Sequence, residues 1–369
     1  MNLSGRKTSA AVIGLMLTLT LSACGSSNSS VQEQSGSSDP AVSAANGTSA
    51  SNANTDTSQA AASSNQANAP FLSFKDTEGR EVTLSSQPQR IVVLSPEILN
   101  MIYAIGGEVL GRADAADIEL PSGAEKAESV GQVSEVSSEK ILALQPDLVI
   151  GQPRFHKDLA QTFESSSIPF ALMQVSSYDQ IADTVELLGK ITGKEAEAKE
   201  QLDQLQQRVD AIKAKLPDKQ LTFANMNVTP ASVSIQRSGT IGLDIAKTMN
   251  MTNVAEQLEP DKKSPTTVPY SLEKLVEQDP DYLFLIIHGS RATGEKKIKT
   301  DMESNPAWSS LKAVKEKHVV IVPSSLFLTN PGLKYDESMT YLAQYVYPDI
   351  FGAPAKEEAS GAPQQGHGK

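Results

Sequence analysis

Histidine and arginine are the side chains in this 369-residue sequence whose placement could do chemistry. There are 4 histidines. Two of them, His156 and His288, follow closely on apolar runs that read as strands, Leu148-Val149-Ile150 and Tyr282 to Ile287. His318 precedes a strand in a basic turn and reads as solvated, and His367 lies in the polar C-terminal stretch. Arg154, Arg237 and Arg291 fall in loops like those of the first two histidines. A neutral imidazole accepts a hydrogen bond or ligates a metal. A guanidinium offers a planar fork to anionic oxygens. Together they suit the capture of an anionic small molecule. Catalysis is not indicated. The sequence has no Gly-x-Ser-x-Gly turn, no Gly-rich loop ending in Lys-Ser/Thr and no paired zinc-protease histidines, so the chain is expected not to be an enzyme. A site for a free metal ion would need three or four converging His, Asp or Glu ligands, and histidine is scarce.

The elements that must position these residues alternate strand and helix. Phe71 to Leu84 reads as a hairpin around Thr77-Glu78-Gly79. Ile91 to Leu94 is a continuous apolar run, as in a strand buried on both faces. Ser95-Pro96-Glu97 follows with a cap residue, proline at the first helical position and an acid in the first turn. Repetition of this pattern implies α/β architecture with parallel sheet. The segment 194–216 lacks Pro and Gly and repeats Leu202, Leu205, Val209, Ile212 and Leu216 at three- and four-residue steps. It predicts one long helix with a narrow apolar stripe, a spine between two domains. On either side of it lie near copies. Ser137-Ser138-Glu139-Lys140 leading to Pro146-Asp147 is matched by Ser271-Leu272-Glu273-Lys274 leading to Pro280-Asp281. Such a pair predicts two halves built alike. Ligand sites in open α/β sheets lie at the C-terminal ends of strands. That places Ser95, Glu97, Gln132, Arg154, Phe155 and His156 in the first half of a site. Arg237 (after Gln236), His288, Arg291, Phe327 and Tyr335 belong to the second half.

Net charge is -12, which argues against a nucleic-acid binder. The single cysteine, Cys24, excludes an internal disulfide. It closes Leu21-Ser22-Ala23-Cys24, behind Arg6-Lys7 and an apolar run too short to span a bilayer. This resembles a bacterial lipobox, with Cys24 lipidated as the mature N-terminus and the protein tethered to a membrane. Residues 25–70 are rich in Ser, Asn, Ala, Gln and Thr and are expected to form a disordered tether. A long tether of this kind fits a Gram-positive bacterium and the outer face of its cytoplasmic membrane. The organisation expected is a signal peptide at 1–24, the tether at 25–70, a first α/β lobe at 71–177, a helical connection at 178–216 containing the spine 194–216, a second lobe at 217–353 and a disordered tail at 354–369.

Several features together carry a resemblance over roughly residues 71–351. They are the lipobox, Pro88-Gln89-Arg90-Ile91-Val92, Val130-Gly131 leading to Glu139-Lys140-Ile141 and Pro146-Asp147-Leu148-Val149, the spine, Asn305-Pro306-Ala307-Trp308 and Tyr347-Pro348. The chain resembles the ABC-transporter substrate-binding proteins for iron complexes, haem and cobalamin. The resemblance implies two Rossmann-like α/β lobes joined by a single long helix, a ligand cleft between them and modest hinge motion. It implies that Glu139 and Glu273 dock to arginines of a permease dimer, that the transported ligand is an iron complex (foremost a ferric siderophore), and that no cofactor is needed. The expected partners are that permease, the small-molecule ligand and the membrane, for a monomer that binds no nucleic acid. The Ile286-Ile287-His288-Gly289 stretch is similar to haem-receptor lipoproteins, in which a histidine of this loop ligates haem iron. Their Met or Tyr partner from the first lobe has no counterpart in the loop after Gly131, which reads Gln-Val-Ser-Glu-Val-Ser.

Overall fold

A computed structural model describes residues 69–115 and 118–354. The lipobox, most of the tether and nearly all of the tail lie outside the described residues. The hairpin is present as β1 (Leu72–Lys75) and β2 (Glu81–Leu84). Asp76 holds its turn by accepting from the backbone N–H groups of Glu78 and Arg80. It also accepts from Leu172 N–H, which ties the hairpin to the first lobe.

The first lobe is a sheet of β3 (Ile91–Val93), β4 (Gly111–Asp114), β5 (Glu128–Gln132), β6 (Glu135–Val136), β7 (Leu148–Gly151) and β8 (Phe170–Leu172). The order is β6-β5-β4-β3-β7-β8, parallel except at the edge pair β5–β6. The second lobe is built from β9 (Leu221–Val228), β10 (Val233–Gln236), β11 (Met251–Asn253), β12 (Thr267–Pro269), β13 (Tyr282–Ile287) and β14 (Val319–Val322). Its order is β12-β10-β9-β13-β14, with β11 beside the first half of β9. β9, β13, β14 and β11 run parallel, β10 runs against them, and edge strand β12 runs against β10 and so in the direction of β9. The all-apolar β7 and β13 are central in their sheets and buried on both faces, as their composition requires.

The duplicated segments do the same work in each lobe. Ser137 Oγ accepts from Lys140 N–H and Ser271 Oγ from Lys274 N–H, capping equivalent short helices. Gln145 and Asp279, each just before a proline, both take positive φ, 47° and 39°. Asp147 then accepts from the backbone N–H groups of Gln89 and Arg90 at the start of β3. Asp281 accepts from Thr222 N–H at the start of β9. Each Pro-Asp therefore fixes the neighbouring parallel strand at its entrance.

The helical connection is a pair of helices. A first linking helix, Tyr178–Thr192, ends at Gly193 in the left-handed region, φ 68°. The spine helix, Glu195–Lys213, is shorter than the expected 194–216. It stops because Pro217 disfavours helical geometry in the residue before it. The linking helix packs on the first lobe's helix Pro96–Ala104, and the spine packs on the linking helix and on Tyr335–Val346 of the second lobe. Ala198, Leu205 and Val209 of the spine are buried, so part of the predicted stripe does face the core. One apolar cluster runs unbroken from Ile98 and Leu99 through Val185, Leu205 and Val209 to Ile245, Phe284 and Met339. The two lobes share a core along this side, and separating them would expose it.

Candidate functional site

Five hydrogen bonds tie the second lobe together and to the helical connection and the first lobe. Asp244 Oδ2 of the second lobe accepts from Tyr178 N–H at 2.8 Å and from Tyr335 Oη–H at 2.7 Å. Asn330 Nδ2 donates to Val175 O at 2.8 Å. Arg208 of the spine donates to Asp336 Oδ2 at 2.8 Å and to Leu333 O at 3.1 Å.

The first lobe carries the short helix Pro153–His156, set directly after β7. Arg154 and Phe155 are exposed, and the guanidinium lies over the Phe155 ring, 5.1 Å from its centroid. Arg154 forms no ion pair among the described residues. Gln132, at the end of β5, is exposed. Ser95 is buried and donates to Glu97 Oε2 at 2.8 Å, so this pair is engaged internally.

His288, directly after β13, is half-buried on the second lobe. Its Nε2 lies 3.1 Å from Asn227 Oδ1. Burial first, and then the Arg154 charge facing it, hold the imidazole below the usual histidine value of 6.5. That electrostatic coupling joins a first-lobe cation to a second-lobe imidazole. Behind His288 runs a chain of amides. Gln236 Nε2 donates to Asn227 Oδ1 at 2.9 Å, and Asn225 Nδ2 and Thr240 Oγ1 donate to Gln236 Oε1 at 3.2 and 2.7 Å. Asn225 and Gln236 are only 1% and 2% exposed. Sequence reading missed this chain. The signal was there: Asn225 and Asn227 alternate along an otherwise apolar strand, which puts two amides on one face of the sheet.

Other expected site residues are placed elsewhere. His156 follows its strand as His288 does, but it is 1% exposed. Its Nδ1 accepts from Gln152 N–H at 3.0 Å and its Nε2 lies 2.9 Å from Val133 O, so it staples two loops together instead of lining the cleft. Phe327 is 2% exposed and packs on Tyr341, since the short helix Ser324–Phe327 turns into the core. Tyr335 is 0% exposed, because its hydroxyl is taken by Asp244 and Thr248 and its ring by Tyr178. Arg237 donates from Nε to Leu258 O. It lines a groove of about 550 Å³ with Ser176, Ser177, Asp244, Lys247 and Asn253, a lining that includes neither Arg154 nor His288. Arg291 pairs with Glu295 on its own helix at 2.8 Å. Glu139 and Glu273 are both exposed in first helical turns and form no ion pair among the described residues. Among the described residues, no group of three or more His, Cys, Asp or Glu could hold a metal ion. No described helix is long and apolar enough to cross a membrane.

Comparison with known proteins agrees with this architecture. The profile of the family described as periplasmic binding protein matches residues 91–326. The Fe(3+)-citrate-binding protein YfmC of Bacillus subtilis is 29% identical over 269 residues, covering 71% of this chain and 82% of the relative. The ABC transporter substrate-binding lipoprotein YvrC of the same organism is 26% identical over 285 residues, covering 75% and 85%. The structure of Staphylococcus aureus IsdE complexed with heme superposes with a TM-score of 0.61 at 20% identity, covering 70% of this chain and 98% of that one. That likeness supports the two-lobed fold.

Proposed function

The chain belongs to the periplasmic binding protein family, and we propose that it is the receptor of an ABC importer, capturing an anionic iron complex outside the cell and delivering it to a membrane permease. A ferric siderophore is the foremost cargo, with ferric citrate, which YfmC is named for binding, close in chemistry. The observation that carries the reading is the unpaired Arg154, stacked on exposed Phe155 and opposed to neutral His288. In an acidic chain, an unpaired guanidinium in a cleft is a fork for carboxylate, hydroxamate or catecholate oxygens. The chain holds its ligand and does no chemistry on it. Residues 71–177 and 217–353 act as the two lobes, closing through a small angle because they share a core.

Glu139 and Glu273 are the permease contacts in this reading, one per lobe. Their equivalent positions and lack of internal partners suit charge-guided docking on a two-fold partner. Cys24 carries the lipid that holds the receptor at the outer face of the cytoplasmic membrane, as the lipoprotein name of YvrC supports. Haem is the second reading, favoured by His288 on the cleft wall.

Calorimetry with ferric hydroxamates, ferric catecholates, ferric citrate, haem and cobalamin tests the cargo. The single tryptophan, Trp308, is buried in an apolar core of the second lobe, so calorimetry is the more direct readout. Micromolar or tighter binding of a ferric siderophore or ferric citrate is the expected result. Failure of every iron complex, or a haem Soret band abolished by His288→Ala, would replace this assignment. Glu139→Ala with Glu273→Ala should stop uptake while leaving ligand binding unchanged, and continued uptake would remove the docking role.

A further inference from the structure

We infer that Asn330 and Gly332 are positioning residues for ligand capture: their turn is the buttress that sets how closely the two lobes stand, and it works only because position 332 has no side chain. The spacing role rests on contacts in the structure. Its effect on capture rests on the receptor reading above.

The turn belongs to the second lobe and leads into the helix Tyr335–Val346. Its shape is set locally. Asn330 Oδ1 accepts from Gly332 N–H at 2.6 Å, the bond by which an asparagine folds its own backbone two residues on. Pro331 between them has its φ fixed by its ring. Lys334 N–H donates to Pro331 O and closes a short 3-10 helix, Gly332–Lys334. The turn is then gripped from two sides. Asn330 Nδ2 donates to Val175 O of the first lobe at 2.8 Å. Arg208 of the spine donates to Leu333 O at 3.1 Å. One asparagine side chain therefore shapes the turn with its oxygen and ties it to the first lobe with its amide.

The close approach falls at Gly332. This residue is buried, with φ 55° in the left-handed region. The first-lobe helix Pro96–Ala104 packs on the turn. A Cβ at position 332 would lie 3.2 Å from Met101 Cγ and 3.3 Å from Met101 Cε, tighter than ordinary contact. Met101 is itself buried and shares an apolar cluster with Leu333, so it has little room to retreat. A methyl group at 332 therefore pushes on the helix, since a packed interior answers extra volume by shifting backbone. That helix begins just after β3 with Ser95 as its cap residue and Glu97 in its first turn, both expected site residues. Moving it displaces one lobe's site residues from the other's.

Electron–electron double resonance between nitroxides at Glu164→Cys and Glu277→Cys, in the full chain carrying Cys24→Ser, reads the spacing of the lobes. Both labelled positions are exposed, one on each lobe. Gly332→Ala should lengthen the mean distance and weaken ferric citrate binding about tenfold in calorimetry. Adding Met101→Ala to Gly332→Ala should restore the distance and most of the affinity, because it removes the atoms that the methyl meets. Backbone strain of a left-handed alanine predicts no such rescue. Asn330→Ala should broaden the distance distribution, because it loses both of its bonds. A wild-type distance in Gly332→Ala, a lengthening that Met101→Ala fails to reverse, or an unchanged distribution in Asn330→Ala overturns the spacing role. Wild-type affinity in a Gly332→Ala protein whose distance has lengthened overturns the effect on capture. Failure of ferric citrate to bind even the wild type counts against the cargo reading, and the distances still decide the spacing.

Discussion

Asp244→Ala should loosen the hinge, and its cost can be worked from the structure. One carboxylate oxygen accepts from Tyr178 N–H, at the start of the helix that packs on the first lobe, and from the hydroxyl of fully buried Tyr335. A hydrogen bond to a charged group contributes about 1.5–3 kcal/mol. Because Asp244 is only partly buried, the lower figure applies twice, about 3 kcal/mol in all. At roughly 2 °C per kcal/mol for a chain of this size, the melting temperature should fall by about 6 °C. Tyr335→Phe removes one of the two bonds and should cost about half as much. The double variant should then be less destabilised than the sum by about 1.5 kcal/mol, because both changes delete the same contact. The assays are thermal and urea denaturation of all four proteins, with small-angle scattering of the ligand-free forms. Asp244→Ala should also scatter as a slightly larger particle. Additivity of the two changes, or a melting temperature within about 1 °C of wild type, would refute the idea that this carboxylate pins the lobes.

Three further outcomes follow from named contacts. Arg154→Gln should weaken an anionic ferric complex by roughly 10- to 100-fold in calorimetry, with little change in melting temperature, because the side chain is exposed. The same change removes a cation facing His288, so the His288 midpoint should rise in an NMR titration. Tyr270→Phe should be neutral or stabilising by up to about 1 kcal/mol in urea denaturation, since its hydroxyl is buried without a partner and burial pushes its pKa up to about 12. His156 is held below its ordinary 6.5 by burial. Its contribution to stability is therefore complete above that value and is lost as pH falls below it toward the folded-state value, because the unfolded chain takes up the proton first. His156→Gln should flatten that part of the stability-versus-pH curve, and an unchanged slope would show that His156 is not responsible.

How far the fold and cleft could be read from sequence depended on whether the signal was local. β7 and β13 were legible because a run such as Leu283 to Ile287 has no exposed face to offer, which suits only a central strand. The duplicated Ser-x-Glu-Lys and Pro-Asp segments were legible as a repeat. Their purpose was not, because Asp147 and Asp281 act on strands 57 to 59 residues away in sequence. Depth was the quantity sequence position could not supply. His156 and His288 both follow buried strands, yet one staples loops in the interior and the other stands on the cleft wall. The difference lies in what covers them: Val133 from the loop after β5 closes over His156, whereas Gly289 and Ser290 beside His288 are exposed. Tyr335 and Phe327 failed for a related reason. Their segments follow the last strand, where a site is expected, but the second lobe uses those segments to meet the linking helix and the core. Conversely, Asn225 and Gln236 belong to strands and contact no solvent, but their amides orient the imidazole that does. The exposed groups here supply charge, and the buried amides hold the imidazole ring in place.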